Sequence, residues 1–239
     1  MCTLTYVPLE GEGFLLTTNR DERMDRSSVP PSHYVKDGRY LLYPRDLKGT
    51  GSWIATDGVS VSVCLLNGAF HAHVKKRSYV KSRGVVLLDF FCYSTVEEFL
   101  SNYILIGIEP FTLFVILHDK GREIHQIKWD GSQSHHKSID ANRCHLWSSV
   151  TLYDSFQQQE RHRWFKKWQN QNLQYNWNEV LDFHRGGGVG DPHIDMVMQR
   201  SPQLGTVSIT SIRKMDGVVE MFYQDIKSGK QWLLPFDEE

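Results

Sequence analysis

The residues with the clearest chemical potential lie near the start of the chain. Cys2 follows the initiator methionine, and a turn at Glu10–Gly13 separates it from four consecutive polar residues, Asn19, Arg20, Asp21 and Glu22. Removal of Met1, the usual fate of an initiator methionine before a small residue, would make Cys2 the N-terminus. Its α-amine (pKa about 7.7–8.0) and thiol (about 8.5) would then share one α-carbon, a base and a nucleophile side by side. The amine could take the thiol proton and later return it to a leaving amine. While Met1 stays attached that nitrogen is an amide and cannot act as a base. The bland alternative for Cys2 is a small apolar residue that starts a strand.

Two short strands must bring these groups together. Cys2–Val7 alternates as a strand, and the Gly-rich turn leads into a second over Phe14–Thr18. Pairing across the turn sets the quartet close to Cys2. Alternation sends Arg20 and Glu22 to one face, and Asn19 and Asp21 to the other. A carboxylate there can hold the N-terminal amine, and an arginine can lower a thiol pKa or bind a substrate carboxylate. A solvated strand end with a local salt bridge is the competing reading.

The remaining elements read as strands at both ends with helices between. Ser27–Pro31 reads as a loop, because adjacent prolines oppose regular pairing. Strands are expected at Tyr40–Tyr43, Gly51–Ala55 and Val59–Leu66. Ser82–Tyr93 has helical periodicity, and a second helix is expected from Ser94, capped with Glu97. Phe111–Leu117 and Glu123–Trp129 form a hairpin around Asp119-Lys120-Gly121. Tyr153–Trp168 reads as an amphipathic helix burying Phe156, Trp164, Phe165 and Trp168. Asn176–His184 follows as a shorter helix, stopped at Arg185 and Gly186–Gly188. Strands at Ile194–Met198, Thr206–Ile212 and Val218–Tyr223 close the chain, the last two joined at Asp216-Gly217. This order predicts an α+β fold of two sheets packed together and covered by helices, one domain over residues 1–239.

Composition narrows the function. With 239 residues and 40% hydrophobic content the chain can bury a large core. Its 27 basic and 28 acidic residues leave a net charge of -1, so no bulk field favours nucleic acid or an anionic membrane. No apolar run is long enough for a membrane span, and the polar start is unlike a signal peptide. Cys2, Cys64, Cys92 and Cys144 are widely spaced, which suits free thiols in a cytoplasmic protein better than a disulfide framework. Cys64 and Cys92 read as core.

Other clusters carry less. His71-Ala72-His73 has no evident acidic partner and reads as surface, and His135-His136 as part of a polar loop. Lys75-Lys76-Arg77 reads as a solvated loop. Arg185 with its glycines could cradle an anion, but a helix stop explains it more cheaply. No cofactor and no metal site are expected.

The quartet after Met-Cys resembles the NRDE family, whose eukaryotic members include the transport and Golgi organisation proteins. Gly49-Thr50-Gly51-Ser52-Trp53, Ser82-Arg83-Gly84, Leu146–Ser149 with Thr151–Tyr153, and Thr206–Thr210 are similar to further family segments. The resemblance implies an N-terminal-nucleophile (Ntn) hydrolase-like fold, a four-layer αββα sandwich. It also implies a parallel with the penicillin V acylase and bile salt hydrolase group, which begins Met-Cys. That group carries Arg-x-x-Asp at the corresponding hairpin, whereas here Arg20 and Asp21 are adjacent, so either Asp21 or Glu22 could hold the amine. Asn67 is retained and would supply an oxyanion-hole amide, although Asn67-Gly68 is equally a good turn dipeptide. Ser148-Ser149 stands where the family more usually has Ser-Asn. The implied function is a cysteine amidohydrolase acting on a non-peptide C–N bond, with Cys2, Arg20, Asp21 and Asn67 as catalytic candidates. Asn19, Glu22, Ser148 and Ser149 are the candidates for orienting a small-molecule substrate. The alternative on the same fold is a non-catalytic carrier of haem or an acyl ligand, given the family's association with lipid metabolism and haem trafficking. The oligomeric state is left open.

Overall fold

The computed structural model describes residues 3–172 and 174–236. Strand β1 (Thr3–Pro8) turns through Gly11, at φ +58°, into β2 (Phe14–Arg23). The second strand is longer than its apolar alternation suggested, and the polar quartet lies inside it. Next come β3 (Ser28–Lys36), β4 (Arg39–Asp46), β5 (Ile54–Thr56) and β6 (Val61–Asn67). Here Ser27–Pro31 departs from the expected loop: Pro30 and Pro31 sit within the register shift between Val29 and Ser32, at the edge of a sheet. An edge strand with a bulge tolerates residues that cannot donate to the ladder.

Helix α1 (Arg83–Asp89) is capped by Ser82, and its last turn tightens into a 3-10 turn over Phe90–Cys92. Helix α2 (Val96–Asn102) starts one residue later than expected. The Thr95 side chain caps Glu98 N–H at 3.0 Å, and the Glu98 carboxylate takes the Ser94 N–H at 2.7 Å. Strands β7 (Phe111–Leu117) and β8 (Glu123–Trp129) match their expected bounds. They are followed by β9 (Ser134–Ile139), so the histidine pair lies in a strand and not in a loop, with His136 stacked on His125.

After β10 (His145–Ser148), helix α3 (Ser155–Gln171) and helix α4 (Trp177–Gly186) each begin with a reciprocal capping box, Asp154 with Gln157 and Asn176 with Glu179. Phe156 is 61% exposed, against expectation. At 3.6 residues per turn it sits about 140° from Arg161, which heads the inward stripe Arg161–Phe165–Trp168. The final strands are β11 (Gln199–Ser201), β12 (Leu204–Met215), β13 (Val218–Asp225) and β14 (Gln231–Pro235). The expected strand at Ile194–Met198 is replaced by turns, in which the Ile194 and Asp195 N–H groups bond the Asp191 carbonyl. Asp216 and Gly217 both have positive φ, the geometry of a tight hairpin turn whose twist matches its strands.

The chain forms two compact units, Met1–Arg26 with Asn142–Pro235, and Ser27–Ala141 with Phe236–Glu239. The first holds a seven-stranded antiparallel sheet ordered β10-β1-β2-β12-β13-β14, with β11 paired to β12. Val7, Leu15, Leu146, Phe165, Val180, Phe183 and Met196 seal α3 and α4 onto it. The second holds a seven-stranded sheet in the order β3 to β9, whose core includes Val63, Leu65, Val86, Leu87, Phe99 and Leu113. There the two glycine-bearing segments lock together. Ser52 N–H bonds the Gly84 carbonyl at 3.1 Å and Ser82 Oγ bonds the Gly49 carbonyl at 2.7 Å. Cys64 is fully buried, but Cys92 is exposed and its thiol donates to Asp37 at 3.0 Å, contrary to the core reading. Among the described residues no helix is long and apolar enough to cross a membrane.

Candidate functional site

Register sets the geometry. Thr3 faces Asn19 on one side and Ser148 on the other, so β1 begins between the polar quartet and the end of β10. Thr3 Oγ1 lies 3.4 Å from Ser148 Oγ. Asn19, Arg20 and Asp21 are almost completely buried, so they form no solvated strand end.

Alternation divides the quartet as expected, and its helix-side members are fully engaged. Asn19 Nδ2 donates to the Met196 and His184 carbonyls at 2.6 and 3.0 Å, and its Oδ1 meets His184 Nδ1. Since both N–H bonds of the amide are spent on carbonyls, His184 must be the donor at Nδ1. Its Nε2 then accepts from Thr5 Oγ1 at 2.7 Å. Burial, with a smaller contribution from the Arg161 charge, pushes the His184 pKa down to about 3, so the ring is neutral. Arg161 reaches Thr3 Oγ1 through Nη1, and bonds the Ile194 and Asp195 carbonyls.

Asp21 accepts from Tyr153 Oη at 2.5 Å and from Thr206 Oγ1 at 2.6 Å. The Tyr153 ring is contacted by two guanidiniums, Arg161 at 3.8 Å and Arg200 at 4.9 Å from its centroid. Glu22 is committed locally, pairing with Arg26 at 2.9 Å and accepting the Arg23 N–H.

Arg20 belongs to the other face. It is fully buried, stands opposite Ser208 in the register, and donates to the Arg26 carbonyl at 3.3 Å. Ser208 and Thr210 share that face, both fully buried, and neither hydroxyl has a hydrogen-bond partner among the described residues. Arg20, Ser208 and Thr210 therefore share one buried, polar face of β2 and β12.

Of the other candidates, Ser149 is buried and its Oγ lies 3.0 Å from Thr151 Oγ1. Asn67 ends β6 in the second unit, where Gly68 takes φ +82° and its N–H bonds the Pro110 carbonyl. Cys2 lies outside the described residues. The thiols of Cys92 and Cys144 are pushed up, both chiefly by burial, so neither is an activated nucleophile.

The expectation for His73 needs correction, because it has an acidic partner: Glu109 at 3.1 Å, shared with Arg83. Arg185 pairs with Asp182 and Gln224. The glycine loop beyond it does cradle an anion, the chain's own Asp195, through the Val189 and Gly190 N–H groups. No cluster of three metal-ligating side chains occurs among the described residues. Two clefts of about 490 and 730 Å³ lie on the first unit, one lined by Trp164, Trp168 and Phe183, the other by Cys144, His162 and Tyr175. Neither is lined by the quartet, and size alone does not outweigh the buried polar groups of β2 and β12.

Sequence reasoning did not single out Tyr153, Arg161, His184 or Thr206. The signal available was phase: Asn19 and Asp21 follow Leu15 and Thr17 on the strand face that packs under the helices, so each demands polar partners from the layer above.

Comparison with solved structures defines the class. The C2A mutant of conjugated bile acid hydrolase from Clostridium perfringens superposes with a TM-score of 0.64 at 9% identity, covering 100% of this chain and 93% of that one. Penicillin V acylase from Agrobacterium tumefaciens gives 0.55 at 8% identity, covering 99% and 86%. The Caenorhabditis elegans N-acylethanolamine-hydrolyzing acid amidase ortholog gives 0.53 at 10%, covering 98% and 100%. The fold is therefore Ntn-hydrolase-like, of the αββα class. The sequence profile of the Transport and Golgi organisation 2 family matches residues 1–184, and the chain belongs to that family. No curated protein sequence matches it significantly.

Proposed function

We propose that the chain is an Ntn-type cysteine amidohydrolase acting on a non-peptide amide, with Cys2 as nucleophile after loss of Met1. The supporting observation is the buried face of β2 and β12, where Arg20 shares a face with Ser208 and Thr210, whose hydroxyls have no hydrogen-bond partner among the described residues, one strand from the start of β1. In this reading the α-amine takes the thiol proton as sulfur attacks the amide carbonyl, forming C–S. The C–N bond then breaks and the departing amine receives that proton. Water, deprotonated by the same α-amine, attacks the thioester, C–S breaks, and acid is released with the thiol restored. Arg20 favours the thiolate. Asn19 and Asp21 act as positioning residues, holding β2 against α4 and the segment that enters α3. Ser148 stays a candidate for orienting substrate, and the oxyanion role of Asn67 is tested by N67A.

The proteins of similar fold are named for a conjugated bile acid, penicillin V and N-acylethanolamines, which makes N-acyl amides the substrates to screen. Intact mass of untagged protein is expected to show loss of Met1, and hydrolysis is expected to vanish in Cys2→Ala. Retention of Met1 in the native protein, or turnover unaffected by Cys2→Ala, would overturn the mechanism. Ligand binding by the wild-type protein with no turnover, kept unchanged in Cys2→Ala, would leave the chain a carrier of an acyl or haem ligand.

A further inference from the structure

From Gly58 through Leu88 the sequence contains no acidic residue, and it carries Lys75, Lys76, Arg77, Lys81 and Arg83. Lys81 and Arg83 are occupied by Asp89 and Glu109. Lys75, Lys76 and Arg77 are exposed, and none makes an ion pair with a described residue. They lie in the segment between β6 and α1, which turns where Lys76 N–H bonds Tyr79 Oη at 2.9 Å.

The same segment carries apolar side chains that fold no core. Val74 is 91% exposed and Val80 80% exposed. Alongside runs the segment after α2, where Ile104 and Ile106 are 77% and 78% exposed. The two segments are joined. Val80 N–H bonds the Gly107 carbonyl at 3.0 Å, Val80 Cγ2 lies 2.7 Å from where a Cβ on Gly107 would sit, and Lys81 Nζ reaches Tyr103 Oη at 3.3 Å. Tyr103–Ile108 is also free of acids. Two neighbouring loops thus combine four protruding aliphatic side chains with three unpaired cations.

We propose that this double loop docks the protein peripherally on an anionic lipid bilayer, the aliphatic side chains entering the interface and Lys75, Lys76 and Arg77 meeting the headgroups. Charge complementarity selects the occupant: three free cations suit a negatively charged surface, and the one acid between α2 and β7, Glu109, is already held by Arg83 and His73. Protein interfaces are organised around buried aromatic or arginine anchors seated in pockets, and these loops carry branched aliphatics that protrude into solvent.

Co-sedimentation of the full chain with vesicles tests this, using phosphatidylcholine alone and phosphatidylcholine with about one-third phosphatidylserine. Binding is expected to the mixed vesicles and to weaken as salt rises. The variant K75A/K76A/R77A is expected to lose about a hundredfold in partitioning, from three charges near an anionic surface. V80S/I104S/I106S is expected to lose at least about tenfold with its charge unchanged. These side chains are mostly in solvent already, so both variants should keep the wild-type melting temperature. Absence of binding to the mixed vesicles, or binding that neither variant reduces, would overturn the proposal. So would a wild-type dimer that V80S/I104S/I106S converts to monomer, which would assign the loops to self-association.

Discussion

Lowering the pH should destabilise the first unit through His184, and the loss can be worked from the geometry. The ring is fully buried and holds Asn19 and Thr5, with its pKa pushed down to about 3 by burial and by the Arg161 charge. In the unfolded chain it returns to about 6.5. Between those values the unfolded chain binds one more proton than the folded chain. Stability is therefore fully present above about pH 6.5 and falls by about 1.4 kcal/mol per unit as the pH drops towards the folded value. From pH 6.5 to pH 5 the loss is about 2 kcal/mol. His184→Gln keeps a polar side chain but cannot protonate. Urea unfolding of both proteins between pH 7.5 and 5, followed by tryptophan fluorescence, isolates this contribution because the other titrating groups cancel. The stability gap between wild type and variant should narrow by about 2 kcal/mol over the range. A gap that stays constant would refute the neutral, buried histidine.

Two further substitutions test the packing around the quartet and the glycine lock. Tyr153→Phe removes one of two donors to the Asp21 carboxylate and should cost about 1.5–3 kcal/mol, with Thr206→Val showing non-additive behaviour in a double-mutant cycle. Strict additivity would mean that the two hydroxyls do not share the carboxylate. Gly51→Ala would set a Cβ 2.1 Å from the Gly84 carbonyl carbon, where backbone on both sides leaves no room to yield. Melting should fall by at least several degrees, as expected for an overpacking cost of about 1–3 kcal/mol, and an unchanged Tm would contradict the close approach.

Much of this protein follows from local pattern. Alternation and turn residues place β1, β2, β7, β8, β12 and β13, because a two-residue period and a left-handed Gly are properties of the chain itself. The amphipathic pattern locates α3, and α4 lies where a second, shorter helix was expected. The split of Asn19 and Asp21 from Arg20 and Glu22 was equally legible. Tertiary structure decided what local pattern leaves open. Pro30 and Pro31 lie in a strand because that strand is at an edge. His135 and His136 lie in another because β8 offers a free edge to pair with, and Phe156 is outside because the helix presents a different stripe to the sheet. The strand at Ile194–Met198 gave way because its groups serve others: the Ile194, Asp195 and Met196 carbonyls receive Arg161 and Asn19, and the Asp195 carboxylate receives Val189 and Gly190. The site shows the same division. Sequence alone marks the quartet as chemically unusual, but its partners Tyr153, His184 and Thr206 come from residues 132 to 185 positions away in the Asp21 bonds and 165 in the Asn19–His184 bond. Only folding brings such distant groups into hydrogen-bond range, and only their burial together turns Asn19 and Asp21 into a fixed, desolvated array.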